Sequence, residues 1–107
     1  MGDLTVRPMT GGCGAEVLGV DLADLSNSDW QGVRDAFSDF GVIFFRDQTL
    51  TPEQHIAFAR RWGRIDINKF FRADATHPEI AEVRKEADQT INIGGGWHTD
   101  HSYDRIP

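Results

Sequence analysis

Cysteine is all but missing. Cys13 stands alone among 107 residues, so no disulfide can close within the chain, and the usage suits a reducing cytoplasm. Long apolar runs are missing too. No stretch approaches the roughly 18 residues that a membrane-spanning helix needs. The N-terminus has no cationic region leading into an apolar core, so no secretory leader and no membrane partner are expected. Positive charge is scarce: 11 Lys and Arg stand against 17 Asp and Glu, for a net charge of −6. A phosphate-binding surface wants a cationic excess, so nucleic acid is not an expected partner. Repeats, low-complexity tracts and linker-like runs are also lacking. What is present, 39% apolar, 26% charged and 10% aromatic residues, is the composition of a globular domain, and the length suits one.

The segments "LTVRPM" and "GAEVLGVDL" alternate and carry β-branched residues, with "TGGCG" between them. They predict two short strands joined by a glycine turn. "SNSDWQGVRDAFSDFG" predicts a helix with Ser26 or Ser28 as its N-cap and Gly41 at its C-terminus. Trp30, Val33, Phe37 and Phe40 fall at helical spacing. Gly32 inside that helix costs about 1 kcal/mol relative to alanine. "VIFFRD" is apolar on both faces, the pattern of an interior strand. In "TPEQHIAFARRWG" Thr51 is the N-cap, Pro52 takes the first helical position, and Gln54 completes a capping box. Gly63 ends that helix. "RIDINKFF" alternates like a strand, "ADATHP" reads as a loop, and "EIAEVRKE" offers another strand before the loop "ADQTINIGGG". Two helices among at least four strands give an α/β or α+β architecture.

The most unusual stretch is "GGGWHTDHSY", residues 94–103. On an extended strand His98 and Asp100, two apart, point to one face. An imidazole nitrogen and a carboxylate oxygen then reach a common ion, as in two legs of the 2-His-1-carboxylate triad of non-haem Fe(II) oxygenases. Two other readings stay open. Asp100 can make an Asx-type turn beside an exposed His98. If the backbone turns at His101, a zinc-like cluster of His98, Asp100 and His101 forms instead. Gly94, Gly95 and Gly96 match no phosphate-binding fingerprint, but without Cβ atoms they admit a ligand close to the backbone. Trp97 is expected in the core, and His55, Arg60 and Arg61 on the helix surface. His77 precedes Pro78 in a loop, and Asp66 and Asn68 share a face of "RIDIN" as candidates for pocket lining.

The order "GAEVLGVDL", a helix, "GVIFFRDQTLTPEQHIAFARRWG" and then "WHTD" resembles the N-terminal part of the taurine dioxygenase family, over roughly residues 12 to 107. The resemblance implies a double-stranded β-helix (jelly-roll) core and dependence on Fe(II) and 2-oxoglutarate. It makes His98 and Asp100 the iron ligands. The second histidine, and the arginine that pairs with 2-oxoglutarate, are expected downstream of this motif. In taurine-specific members a histidine, a tyrosine and an asparagine meet the substrate. Their counterparts here are Asn68, Phe71 and Gly94, which points away from taurine to a different acid or an uncharged substrate.

The chain runs to "YDRIP" directly after the motif. Residues 1–107 are therefore expected to be the N-terminal part of one dioxygenase domain with an incomplete barrel, acting on a small molecule and not competent alone. The alternative is a non-catalytic module. In either case exposed strand edges and apolar faces lead to an expected homo-oligomer.

Overall fold

The computed structural model describes residues 3–67, 72–73, 76–92, 94–102 and 104–105. They belong to two compact units, Met1–Asp66 and Ile67–Pro107. Among the described residues no helix is long and apolar enough to cross a membrane.

In the first unit, strand β1 (Thr5–Pro8) pairs antiparallel with β2 (Ala15–Leu18), in register Thr5 to Leu18 and Pro8 to Ala15. The glycine turn between them is built as expected. Gly11, Gly12 and Gly14 have positive φ, and the Met9 amide donates to the Gly14 carbonyl at 2.9 Å. The second strand is shorter than its alternating sequence suggested, ending at Leu18. Gly19 then takes a left-handed φ of 79°, and a Cβ at that position would run into the Asp3 carbonyl.

Helix α1 (Asn27–Phe40) starts at Ser26, not Ser28. The Ser26 side chain accepts from the Asp29 amide, and Gly41 (φ 76°) closes the other end with its N–H on the Phe37 carbonyl. The buried stripe of α1 is Val33 and Ala36, which pack with Val17 of β2. Phe37 lies off that stripe at 45% exposure, with its ring edge against Trp62, centroids 5.2 Å apart. Gly32 acquires a reason in the fold, because a Cβ there would stand 2.8 Å from the tip of Leu4.

Strand β3 (Ile43–Phe44) runs parallel to β2, giving the order β1-β2-β3. Among the described residues it is therefore an outer strand, and the interior placement drawn from its two apolar faces is corrected. The faces are covered in different ways. Ile43 and Phe45 pack against the core, whereas Phe44 lies under the Arg46 guanidinium at 5.2 Å. On that side the Arg46 guanidinium covers the ring by a cation–π contact.

Helix α2 (Pro52–Trp62) begins with the full capping box. The Gln54 amide donates to the Thr51 hydroxyl, and the Thr51 amide donates to the Gln54 side chain. It meets α1 through edge-to-face aromatic pairs, Trp30 with Trp62 at 4.8 Å and Trp30 with Phe58 at 6.3 Å, a favoured geometry for aromatic quadrupoles. Arg61 is more than a solvated charge. It donates to the Leu25 carbonyl at 3.1 Å and covers the Trp30 ring at 5.7 Å.

The second unit contains a two-stranded ribbon, β4 (Arg72–Ala73) antiparallel to β5 (Ala81–Glu82). The strand expected over 64–71 is not formed at 64–67, and 68–71 lie outside the described residues. That expected over 79–86 contracts to β5, because side-chain bonds take over: Arg84 pairs with Glu86 at 2.7 Å, and the Glu86 amide donates to Gln89 at 2.7 Å. Outside β4, none of the unit's described residues is buried.

Three substitutions test these roles by urea denaturation. Thr51→Ala should cost about 1 kcal/mol through the lost cap. Gly19→Ala should cost more than about 1 kcal/mol, since it meets both a left-handed φ and a backbone carbonyl. Gly32→Ala should be nearly neutral, because a propensity gain of about 1 kcal/mol is offset by moving Leu4. A Gly32→Ala loss as large as that of Gly19→Ala would show that Leu4 cannot yield.

Candidate functional site

The segment "GGGWHTDHS" forms no strand among the described residues, so the extended ladder expected around the motif is corrected. Gly94 adopts φ 72° and Gly95 donates to the Asn92 carbonyl at 3.3 Å, and the described residues supply no partner strand. The convergence of side chains survives the loss of the strand. His98 Nε2 lies 3.1 Å from Asp100 Oδ1. The Asp100 carboxylate thus faces the ring, which is not the Asx-turn arrangement.

The other ring nitrogen fixes the orientation. His98 Nδ1 stands 2.8 Å from the Gly96 carbonyl oxygen. A carbonyl only accepts, so Nδ1 carries the proton and Nε2 is the atom turned to Asp100. Gly94 lies beside the same ring, where a Cβ would come within 3.7 Å of His98 Cε1. Asn68 and Phe71 lie outside the described residues.

His101 is a turn residue, with φ 44°. The backbone does bend there, yet no three ligand atoms of His98, Asp100 and His101 come together. The His101 ring instead pairs with Asp104, Nδ1 to Oδ2 at 2.7 Å. Sequence reasoning passed over Asp104, although its i, i+3 spacing from His101 is visible in "HSYD". The Gly96 carbonyl left no sequence signal at all. Trp97, expected in the core, is fully exposed. His55 is on the helix surface as expected.

The donor pair suits a divalent metal. Donors on adjacent corners around one ion, each about 2 Å from it, stand about 3 Å apart, close to the observed 3.1 Å. The side chains are 55% and 90% exposed, so an ion reaches both from solvent. With the ion absent, the same contact is a charge-assisted pair whenever the ring is protonated.

The His98 pKa lies above the ordinary imidazole value of 6.5. The hydrogen bond to Gly96 contributes most, then the Asp100 charge. Any stability from the pair is therefore full below about pH 6.5 and is lost as pH rises through the raised value. An NMR titration of the His98 ring should show a midpoint above 6.5. Asp100→Asn should bring it part of the way back and leave the Gly96 contribution. A midpoint unchanged by Asp100→Asn would show that the two groups do not meet in solution.

Residues 5–107 match the family model described as taurine catabolism dioxygenase TauD, TfdA family. A curated relative, the (S)-phenoxypropionate/alpha-ketoglutarate-dioxygenase of Sphingobium herbicidovorans, is 34% identical over 92% of this chain and 35% of its own length. The alpha-ketoglutarate-dependent sulfonate dioxygenase of Saccharomyces cerevisiae is 29% identical over the whole chain and 29% of its own length. Among solved structures, a taurine dioxygenase from Burkholderia xenovorans aligns with a TM-score of 0.62 and 38% identity, covering 70% of this chain and 28% of that one. AAD-2 in complex with Mn(II) and N-oxalylglycine aligns with a TM-score of 0.56 and 29% identity, over 60% of this chain and 26% of that one. Spanning about a third of the length of its first curated relative, the chain belongs to the taurine dioxygenase (TauD, TfdA) family.

Proposed function

We propose that this chain carries two of the three protein ligands of an Fe(II)- and 2-oxoglutarate-dependent dioxygenase, His98 and Asp100, and that the enzyme hydroxylates a small organic acid. The observation that carries this reading is the 3.1 Å approach of Nε2 to Oδ1 within the "WHTD" segment of a chain of this family. When bound, Fe(II) with 2-oxoglutarate and dioxygen supplies the oxidising chemistry.

The chain's own residues do the holding. The Gly96 carbonyl keeps the proton on Nδ1 and so leaves Nε2 for the ion, the role an outer partner plays for a metal-bound histidine. Asp100 contributes the negative charge that favours a divalent cation. Gly94 keeps one flank of the ring clear of side chains. Together with a downstream histidine, His98 and Asp100 would hold Fe(II), which would supply the site for a chelating cosubstrate and dioxygen. On this reading the third ligand, the 2-oxoglutarate arginine and the closing strands of a jelly roll are expected downstream of His98 and Asp100.

The acid substrate is supported by relatives named for phenoxypropionate and for sulfonates, both organic anions. Asn68, Phe71 and Gly94 stand where taurine-specific members carry a histidine, a tyrosine and an asparagine, which favours an aryloxy or alkyl carboxylate over taurine.

Succinate release from 2-oxoglutarate by the full-length protein, measured with and without Fe(II) over a panel of small carboxylates and sulfonates, tests the reading. Turnover should require Fe(II), rise with an aryloxyalkanoate more than with taurine, and disappear in His98→Ala and Asp100→Ala. Turnover that persists without iron, or unchanged in His98→Ala, would overturn it.

A further inference from the structure

We propose that Asp104 is a positioning residue for the His98–Asp100 pair, acting by clamping the turn at His101 that fixes the course of the chain directly after Asp100. The inference rests on the reading of that pair as metal ligands.

Residues 97–102 have no strand pairing among the described residues, so local bonds set where the two donors point. Before the pair, His98 Nδ1 is tied to the Gly96 carbonyl at 2.8 Å. After it, His101 holds a left-handed φ of 44°, which a residue with a Cβ keeps only where something offsets the steric cost. Asp104 provides two bonds to that one residue. Its amide donates to the His101 carbonyl at 2.9 Å, and its carboxylate accepts from His101 Nδ1 at 2.7 Å. The Thr99 and Ser102 hydroxyls, 2.9 Å apart, cross the same turn.

Exposure separates the clamp from what it holds. The His101 and Asp104 side chains are 37% and 34% exposed, whereas Asp100 is 90% exposed. An exposed carboxylate with one ring partner takes its direction from the backbone on either side. Without the Asp104 carboxylate, the left-handed turn at His101 loses one of the bonds that hold it, and the exit of the segment bearing Asp100 is less tightly fixed. The ion then has to order the donors as it binds, which weakens binding. Outer partners of metal ligands typically contribute about 10–100-fold in affinity, and a clamp one residue removed from Asp100 belongs at the lower end.

The test is a Mn(II) titration of the 107-residue chain, followed by paramagnetic broadening of the Thr99 and Asp100 amide signals, in wild type, Asp104→Ala, Asp104→Asn and His98→Ala. Asp104→Ala should raise the half-saturating Mn(II) concentration about ten-fold. Asp104→Asn retains an oxygen that accepts from Nδ1–H and should stay within about two-fold of wild type, a rescue that a loss of charge would not show. Wild-type binding by Asp104→Ala, with His98→Ala impaired, would overturn the positioning role and leave the metal reading standing. Equal losses in Asp104→Ala and Asp104→Asn would assign the effect to charge near the ion and overturn it as well. Wild-type binding by His98→Ala would remove the metal reading itself, and the proposal with it.

Discussion

A carboxylate in the middle strand of a sheet has to be met by cations, and Glu16 imposes that condition on the first unit. It is buried to 7% exposure, with Arg7 of β1 at 3.4 Å on one oxygen and Arg46, just past β3, at 3.1 Å on the other. Taking a carboxylate out of water is costly unless its oxygens are paired. Only the order β1-β2-β3 brings one arginine to each side of β2. The same strand supplies Ala15 and Val17, both buried, so the polar clasp and the apolar core are built on adjacent residues of one segment. Gln48 extends the tie by accepting from the Leu22 amide at 2.9 Å and donating to the Val20 and Arg46 carbonyls at 3.2 Å.

The second unit is held on different terms. With no described residue outside β4 buried, it relies on turns and side-chain bonds: Lys85 to Asn92 at 2.6 Å, Arg84 to Glu86 at 2.7 Å, His101 to Asp104 at 2.7 Å. Such bonds fix local geometry without excluding water. A metal centre benefits from both properties, because an ion must enter and its donors must already be near their final places. The His98–Asp100 pair shows this combination, converging to 3.1 Å while remaining open to solvent.

Parts of both units were legible from sequence. The helix ends were in large part, since caps are written in a few adjacent residues: Thr51 with Gln54, and glycines at 41 and 63, while the choice of Ser26 over Ser28 was left to the structure. The hairpin was, because positive-φ glycines leave the chain little choice of turn. The convergence of His98 and Asp100 was anticipated for a reason that does not hold, since a ring hydrogen-bonded to Gly96, and not a strand, turns Nε2 toward the acid. Trp30, Val33, Phe37 and Phe40 fall at helical spacing in α1, whereas the residues it buries are Val33 and Ala36. Helical spacing marks a face, but which residue of that face is deepest depends on what packs against it.

The sequence by itself determined where helices begin and stop, which turns the chain makes, and the family motif, because each is fixed by interactions among residues a few positions apart. Only the tertiary structure decided that β3 is an outer strand among the described residues, that Phe44 lies beneath an arginine, that Gly32 makes room for Leu4, and that Trp97 faces water. Those outcomes depend on which segments meet across long stretches of chain, and no local pattern encodes the partner.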